Sequence, residues 1–538
     1  MKAHISRPRR RILGLWRDER GQSFIIVALM LTVLLGFVGI VIDIGWYEVN
    51  LVRVQRAADA AALAGVVYLP GNLAGGVVAA KAESSKNGFT DGAPGVTVTA
   101  TQDSGNTKIM NTSVTAPVQT YFARLFGVTS FTASRRARAE FILPVPMGSP
   151  QDYLGIYQLA QSDGTIVPVH TAPDASTGRV LSSQGFWSAV ISRGGNSNNG
   201  DAYSTLNHGG GPNPQFDPNG YYYMIELPTG TTNGEVWLFD PSFCAVGHGA
   251  TGTYLGTGDH WIGPGGRAMT TTYRLWDTNG TPYTTARDTL LVDTGATFAL
   301  QDQVDKGGAY SGDQRYSDGG YNGSTSADCS ADPYHNQWYR LATGLAAGMY
   351  HLQVTTSSLD NTNVSAENMF GIEATANVPA GPRVYGLTRM CAYNNVNSGS
   401  AIFYLAQVPA IHAGKTLEIR LFDPGDVGGD AFLRIKQPTA GGYVNATFNF
   451  TANGGVGVQS GTNLTQLQTS VSGREQYDGS WVAITIPLPT NYGAGGLTPP
   501  GETEPGWWKI EYQITSAGND TITYEVNIRG NPVHLVIP

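Results

Sequence analysis

Cysteine is nearly absent: Cys244, Cys329 and Cys391 are the only three in 538 residues. That excludes a disulfide-dense scaffold. No Cys-x-x-Cys or paired-histidine spacing points to zinc. Charge is thin as well. Asp, Glu, Lys and Arg make up 14% of the chain, and the net charge is -8. Lysine is scarce beyond the first hundred residues. This balance lacks the basic footprint of a nucleic-acid binder. The histidines are scattered, among them His208, His248, His260, His335 and His351. No Gly-x-Ser-x-Gly or His-Glu-x-x-His spacing assembles a hydrolase site. The expectation is a protein that is not an enzyme.

One long apolar run stands out, Phe24 to Ile42, uncharged until Asp43. Roughly 20 apolar residues in a helix cross a bilayer core. Lys2, Arg7, Arg9, Arg10, Arg11, Arg17 and Arg20 precede it, against Asp18 and Glu19. Basic residues stay cytoplasmic, so the expected localisation is a single-pass membrane protein with most of the chain outside the cell. A cleaved signal peptide would carry a shorter core followed by small residues. Here Ile44, Trp46 and Tyr47 follow, and the two rings suit the outer interface.

The helical pattern continues past the membrane. Ile44, Tyr47, Leu51, Val54, Ala58 and Ala61 recur at spacings of three and four. The small side chains of Ala57, Ala58, Ala61 and Ala62 permit close approach of another element. Two partners fit that face: the chain's own domain, or neighbouring membrane-anchored subunits.

These residues carry a resemblance. Arg20-Gly21, the apolar run, Val41-Ile42-Asp43-Ile44-Gly45 and Val54-Gln55-Arg56-Ala57-Ala58-Asp59-Ala60-Ala61-Ala62-Leu63-Ala64-Gly65 resemble the N-terminus of TadG-like proteins of the tight-adherence (Flp-type) pilus assembly system. Tyr121 to Gly127 and Arg135 to Ala139 also resemble the family's membrane-proximal segment. The resemblance covers about the first quarter of the chain. It implies association with pilus assembly, with the cell membrane and other pilus-system subunits or self as partners. Related pseudopilins carry a glutamate five residues after the processing glycine, where this chain has Ile26. The anchor is therefore expected to remain uncleaved. The Asp-x-Ser-x-Ser metal motif of many family members is absent here.

The expected fold class is α+β and all-β. A basic tail spans 1–20, the transmembrane and amphipathic helix 21–67, and a pilin-like α+β segment 68–147. Within that segment the patterns predict a helix over 74–86, strands over 96–100 and 108–117, a short helix over 118–126, and a strand over 129–143. Pro144, Pro146, Gly148 and Pro150 read as a linker. Two β-sandwich domains are then expected, 150–378 and 380–538. They rest on an internal repeat: Leu-Phe-Asp-Pro ends strands at Pro241 and Pro424, and each is followed later by Trp338 or Trp481 and a Gly-aromatic strand. The shape resembles pre-peptidase C-terminal and jelly-roll modules.

Asp240 and Asp423 occupy equivalent places in the repeat. With Asp277 and Asp426 they form the candidate calcium ligands, because hard oxygens at loop ends suit calcium. Aspartate before proline or glycine also simply starts turns. Cys244 with Cys329 is the expected disulfide. Tyr222, Trp507 and Trp508 are the candidates for stacking on sugar rings, although such aromatics also fill sheet cores. The functional expectation is a structural, assembly or adhesive protein of a pilus system. The alternative is a membrane-tethered protein, unrelated to pili, that binds carbohydrate or cell wall.

Overall fold

A computed structural model describes residues 19–69, 72–104, 106–142, 144–150, 152–155, 158–160, 166–168, 179–180, 188–191, 200–202, 204–205, 211–239, 241–242, 260–261, 269–280, 288–299, 334, 338–358, 366–530 and 533–536. The chain forms two compact units. One comprises residues 1–141 and 532–538, the other 142–531.

The first unit is organised by α1, Glu19–Val66, a 48-residue helix. It is long and apolar enough to cross a membrane. Phe24, Met30, Phe37 and Val41 are exposed along that apolar half. Beyond Leu51 the same helix changes character. Leu51, Val54, Ala57, Ala58, Ala61, Ala62 and Val66 are buried at helical spacing. They pack on α2 (Leu73–Lys86) and on the sheet of β1 (Thr97–Gln102), β2 (Ile109–Gln119) and β3 (Ser130–Phe141). The Thr112 hydroxyl of β2 donates to the Ala58 carbonyl at 2.9 Å. Asn72 caps α2 by accepting the Gly75 N–H. Where α1 meets α2, a Cβ on Gly65 would lie 2.9 Å from the Gly76 carbonyl oxygen. Only glycine allows that approach.

Three sequence expectations change here. The helix expected over 118–126 shrinks to one 3-10 turn, Ala123–Phe126, because β2 runs on to Gln119. The segment expected as a linker belongs to the second unit: Val145 and Met147 are buried in its core, and Met147–Gly148 pairs with Tyr385 and Gly386. The end of the chain does not join the second sandwich. Val533–Val536 pairs with Arg138 to Phe141 and covers the otherwise open edge of β3.

In the second unit one strand pattern occurs twice. In the first half, Gly234–Phe239 lies between Trp338–Leu345 and Ala366–Thr375. Gly348–Ser358 lies between Tyr221–Leu227 and Met269–Asp277. In the second half, Thr416–Phe422 lies between Trp481–Pro487 and the later part of Trp507–Ile528. The earlier part of that long strand lies between Met390–Gln407 and Ala431–Thr439. The register repeats as well. Phe239 faces Trp338 and Phe422 faces Trp481, with ring centroids 5.3 Å and 5.2 Å apart. Each Leu-Phe-Asp-Pro strand thus seats its Phe against the Trp that opens a strand paired with it. The position expected as a domain boundary, near 379, falls inside one unit. Arg383–Gly386 pairs with Tyr223 to Glu226, and a single buried apolar cluster runs from Ile142 to Ile528.

Candidate functional site

Among the described residues, two places collect polar chemistry that packing alone does not require. The first is the point where α1 leaves its apolar run. Asp43 is buried, and its carboxylate accepts the backbone N–H groups of Tyr121 at 2.7 Å, Phe122 at 3.1 Å and Ala123 at 2.6 Å. These N–H groups open the 3-10 turn and have no partner within it. A single aspartate therefore fastens residues 121–123 to the end of the membrane-length run. Gly39 makes room for the arrangement, since a Cβ there would meet the Phe122 ring at 2.8 Å. The fastened loop is apolar and outward-facing: Leu125 is 77% and Phe126 83% exposed. Trp46 stacks edge-on against Tyr121, and Tyr47 against Phe131.

The second place lies in the later half of the second unit. Asp423 ends the Thr416–Phe422 strand with φ 57, a left-handed conformation uncommon outside glycine. Its side chain is fully buried, and one carboxylate oxygen accepts the Gly479 N–H at 2.7 Å. Carboxylate oxygens of Asp423, Glu475 and Asp478 lie within 4.8 Å of one another. Asp520 is buried beside them and accepts from Gly425 N–H and the Tyr512 hydroxyl. Burial pushes the Asp423 carboxyl well above the usual range, and the charges of Asp426 and Asp520 add to that. Burial and then Asp423 likewise raise Glu475. Burial and then Asp426 raise Asp520. Asp423 Oδ2, Glu475 Oε1 and Asp520 Oδ1 have no hydrogen-bond partner.

The structure gathers some of the sequence candidates and separates others. Asp423 and Asp426 share this cluster. Asp277 does not: it accepts the Asn279 N–H at 2.8 Å, which makes it a turn residue of the first half. Asp240, Cys244 and Cys329 lie outside the described residues, whereas Cys391 is a buried core thiol. The sugar-stacking reading of Trp507 and Trp508 is overturned. Both are 0% exposed, and Trp508 donates its indole N–H to the Tyr492 hydroxyl. Tyr222 is half-buried with its ring edge-on to His351, which itself lies 2.7 Å from the Asp288 carboxylate. The interface reading of Ala57, Ala58, Ala61 and Ala62 is also corrected. All four are fully buried within the chain's own first unit, so none is open to a second subunit. Sequence reasoning missed Glu475, Asp478 and Asp520 because they are far from Asp423 along the chain. Their signal was their closeness to Trp481 and to the late Gly-aromatic strand, both already recognised as repeat landmarks.

Comparison with known proteins adds one finding. No curated protein matches the chain. The segment that carries α1, its membrane-exit aspartate and the start of α2, residues 21–80, matches the family "Putative Flp pilus-assembly TadE/G-like".

Proposed function

We propose that this chain is a single-pass membrane protein of a tight-adherence pilus system, with its basic tail in the cytoplasm and its β-rich unit outside the cell. Its role in this reading is structural or adhesive, without catalysis. The observation that supports it most is the coincidence of the matched segment with the Asp43 junction. The family segment contains the aspartate that fastens a loop of the first unit to the end of the membrane run. That loop, with Leu125 and Phe126 outermost, then sits in the outer interface beside Trp46 and Tyr47, where aromatic and apolar groups partition. The basic tail sets the orientation. Contacts with other pilus subunits use the flank of α1 that remains open, including Val49 and Val52. Deleting the gene is expected to reduce piliation and surface attachment, with recovery when the full chain is restored. Unchanged piliation and attachment in the deletion strain would overturn the proposal.

A further inference from the structure

We propose that Asp423, Glu475 and Asp478, backed by Asp426 and Asp520, hold one calcium ion that ties three segments of the β-rich unit together. The geometry fits a shared ion. Calcium binds oxygens at about 2.3–2.6 Å, so two of its ligands lie at most roughly 5 Å apart. The oxygens of Asp423, Glu475 and Asp478 meet that limit. The donors are all hard oxygens, which favours calcium over zinc or copper.

Two further observations point to a ligand and do not depend on that spacing. Asp423 is 0% and Asp520 1% exposed, and each keeps one carboxylate oxygen without a hydrogen-bond partner; Asp423 does so within the group it forms with Glu475 and Asp478. Buried carboxylate oxygens without a partner are unfavourable as ions unless a cation or proton compensates them. Among the described residues, no lysine or arginine forms an ion pair with Asp423, Glu475 or Asp520. The other oxygens of Asp423 and Asp520 are already fixed. Asp423 accepts from Gly479, and Asp520 from Gly425 and Tyr512. These two carboxylates are thus held in place before an ion arrives, which lowers the ordering cost of binding.

The segments joined are distant in sequence. Asp423 closes the Leu-Phe-Asp-Pro strand, Glu475 and Asp478 flank the turn before Trp481, and Asp520 lies within Trp507–Ile528. An ion there closes the end of the sandwich next to the Phe422–Trp481 pair, as a crosslink would.

The test is calcium titration of the full-length protein in detergent after chelation, read by calorimetry and by thermal unfolding. Wild type is expected to take up about one ion per chain and to unfold at a higher temperature with calcium. Asp423→Asn and Glu475→Gln are each expected to weaken binding by about tenfold or more and to abolish the thermal shift. Asp277→Asn, which alters only a turn, is expected to bind as wild type. Glu475→Gln and the wild-type titration decide the matter if Asp423→Asn fails to fold. The proposal is overturned if chelated wild type takes up no calcium at millimolar concentration. It is equally overturned if Glu475→Gln binds and shifts as wild type does, because the carboxyls would then be compensated by shared protons.

Discussion

Alanine at Gly65 and alanine at Gly45 place the same methyl group in the same helix, and the structure predicts opposite results. Glycine to alanine inside a helix contributes about 1 kcal/mol of stability through intrinsic propensity. Gly45 receives that gain in full, since a Cβ there meets nothing within 4 Å. At Gly65 the new carbon would lie 2.9 Å from the Gly76 carbonyl oxygen, 3.1 Å from Ala80 Cβ and 3.2 Å from Met110 Cε. The first obstacle is backbone of α2 and has no rotamer to escape into, so α2 itself must shift. Overpacking of this kind costs about 1–3 kcal/mol. Subtracting the propensity gain leaves Gly65→Ala destabilising by up to about 2 kcal/mol. Hydrogen exchange of the 73–86 amides in the full-length protein is the assay, because it reads opening of α2 locally. A loss of about 1.4 kcal/mol raises exchange about tenfold. Gly45→Ala should leave or slow it. If Gly65→Ala slowed exchange as Gly45→Ala does, α1 and α2 would not be in backbone contact and the packing account would be wrong.

Ala58→Leu should destabilise the first unit by about 1–3 kcal/mol, because three carbons enter a fully buried site beside Thr112. Exchange of the 109–119 amides reports it, and altered assembly with unchanged exchange would contradict the packing found here. Trp508→Ala should cost the second unit about 3–5 kcal/mol, through the cavity and the Tyr492 hydroxyl left without its donor. Denaturant unfolding measures this, and a loss below about 1 kcal/mol would contradict a core role. Glu502 gives a pH dependence. Burial pushes its carboxyl up, but the Lys509 ammonium at 2.7 Å and the Tyr404 and Tyr443 hydroxyls outweigh burial and hold it below the usual range. A lowered folded-state value stabilises above the ordinary carboxylate value and loses that contribution as pH falls through the folded one. The stability gap between wild type and Glu502→Gln should shrink between about pH 6 and about pH 3, and a constant gap would refute the assignment.

The first unit was legible because its signals are local. The uncharged run, the Asp43 break and the alanine stripe each lie within a few helical turns. What they could not specify was the partner of the stripe. A small-residue face looks the same whether it meets β2 and α2 or another subunit, and only the register of Thr112 against Ala58 decides it. The 118–126 stretch misled for a similar reason. Its composition suits a helix, yet β2 extends to Gln119 by pairing with Ser130. Asp43, about eighty residues away, then supplies the acceptor for the next three amides. Proline at 144, 146 and 150 suggested exposure, but proline forbids only an N–H donor. Val145 and Met147 between them were free to enter the core. Trp507 and Trp508 illustrate the limit of aromatic counting, since both neighbours of an alternating strand are buried here on opposite faces.

The duplication explains why a sequence reading spread its metal ligands over both halves and why the structure gathers them in one. Phe239 and Phe422 occupy the same register, facing Gly371 and Thr523. Counting back three residues on each partner strand brings Asn368 to the place of Asp520. Both are buried and both serve the chain just after a Leu-Phe-Asp-Pro strand. Asn368 donates its amide hydrogens to the Pro241 carbonyl oxygen and the Thr271 hydroxyl. Asp520 instead accepts the Gly425 N–H and keeps a second oxygen without a donor. A neutral amide closes this corner of the first half by donating two hydrogen bonds; its own oxygen also lacks a partner, but it carries no charge to compensate. The same corner of the second half adds buried carboxylates, which need a positive counterpart to be stable as ions. One backbone plan thus carries two solutions to the same buried position. The difference between asparagine and aspartate puts the negative charge in the second half alone, which is where the proposed ion is to be tested.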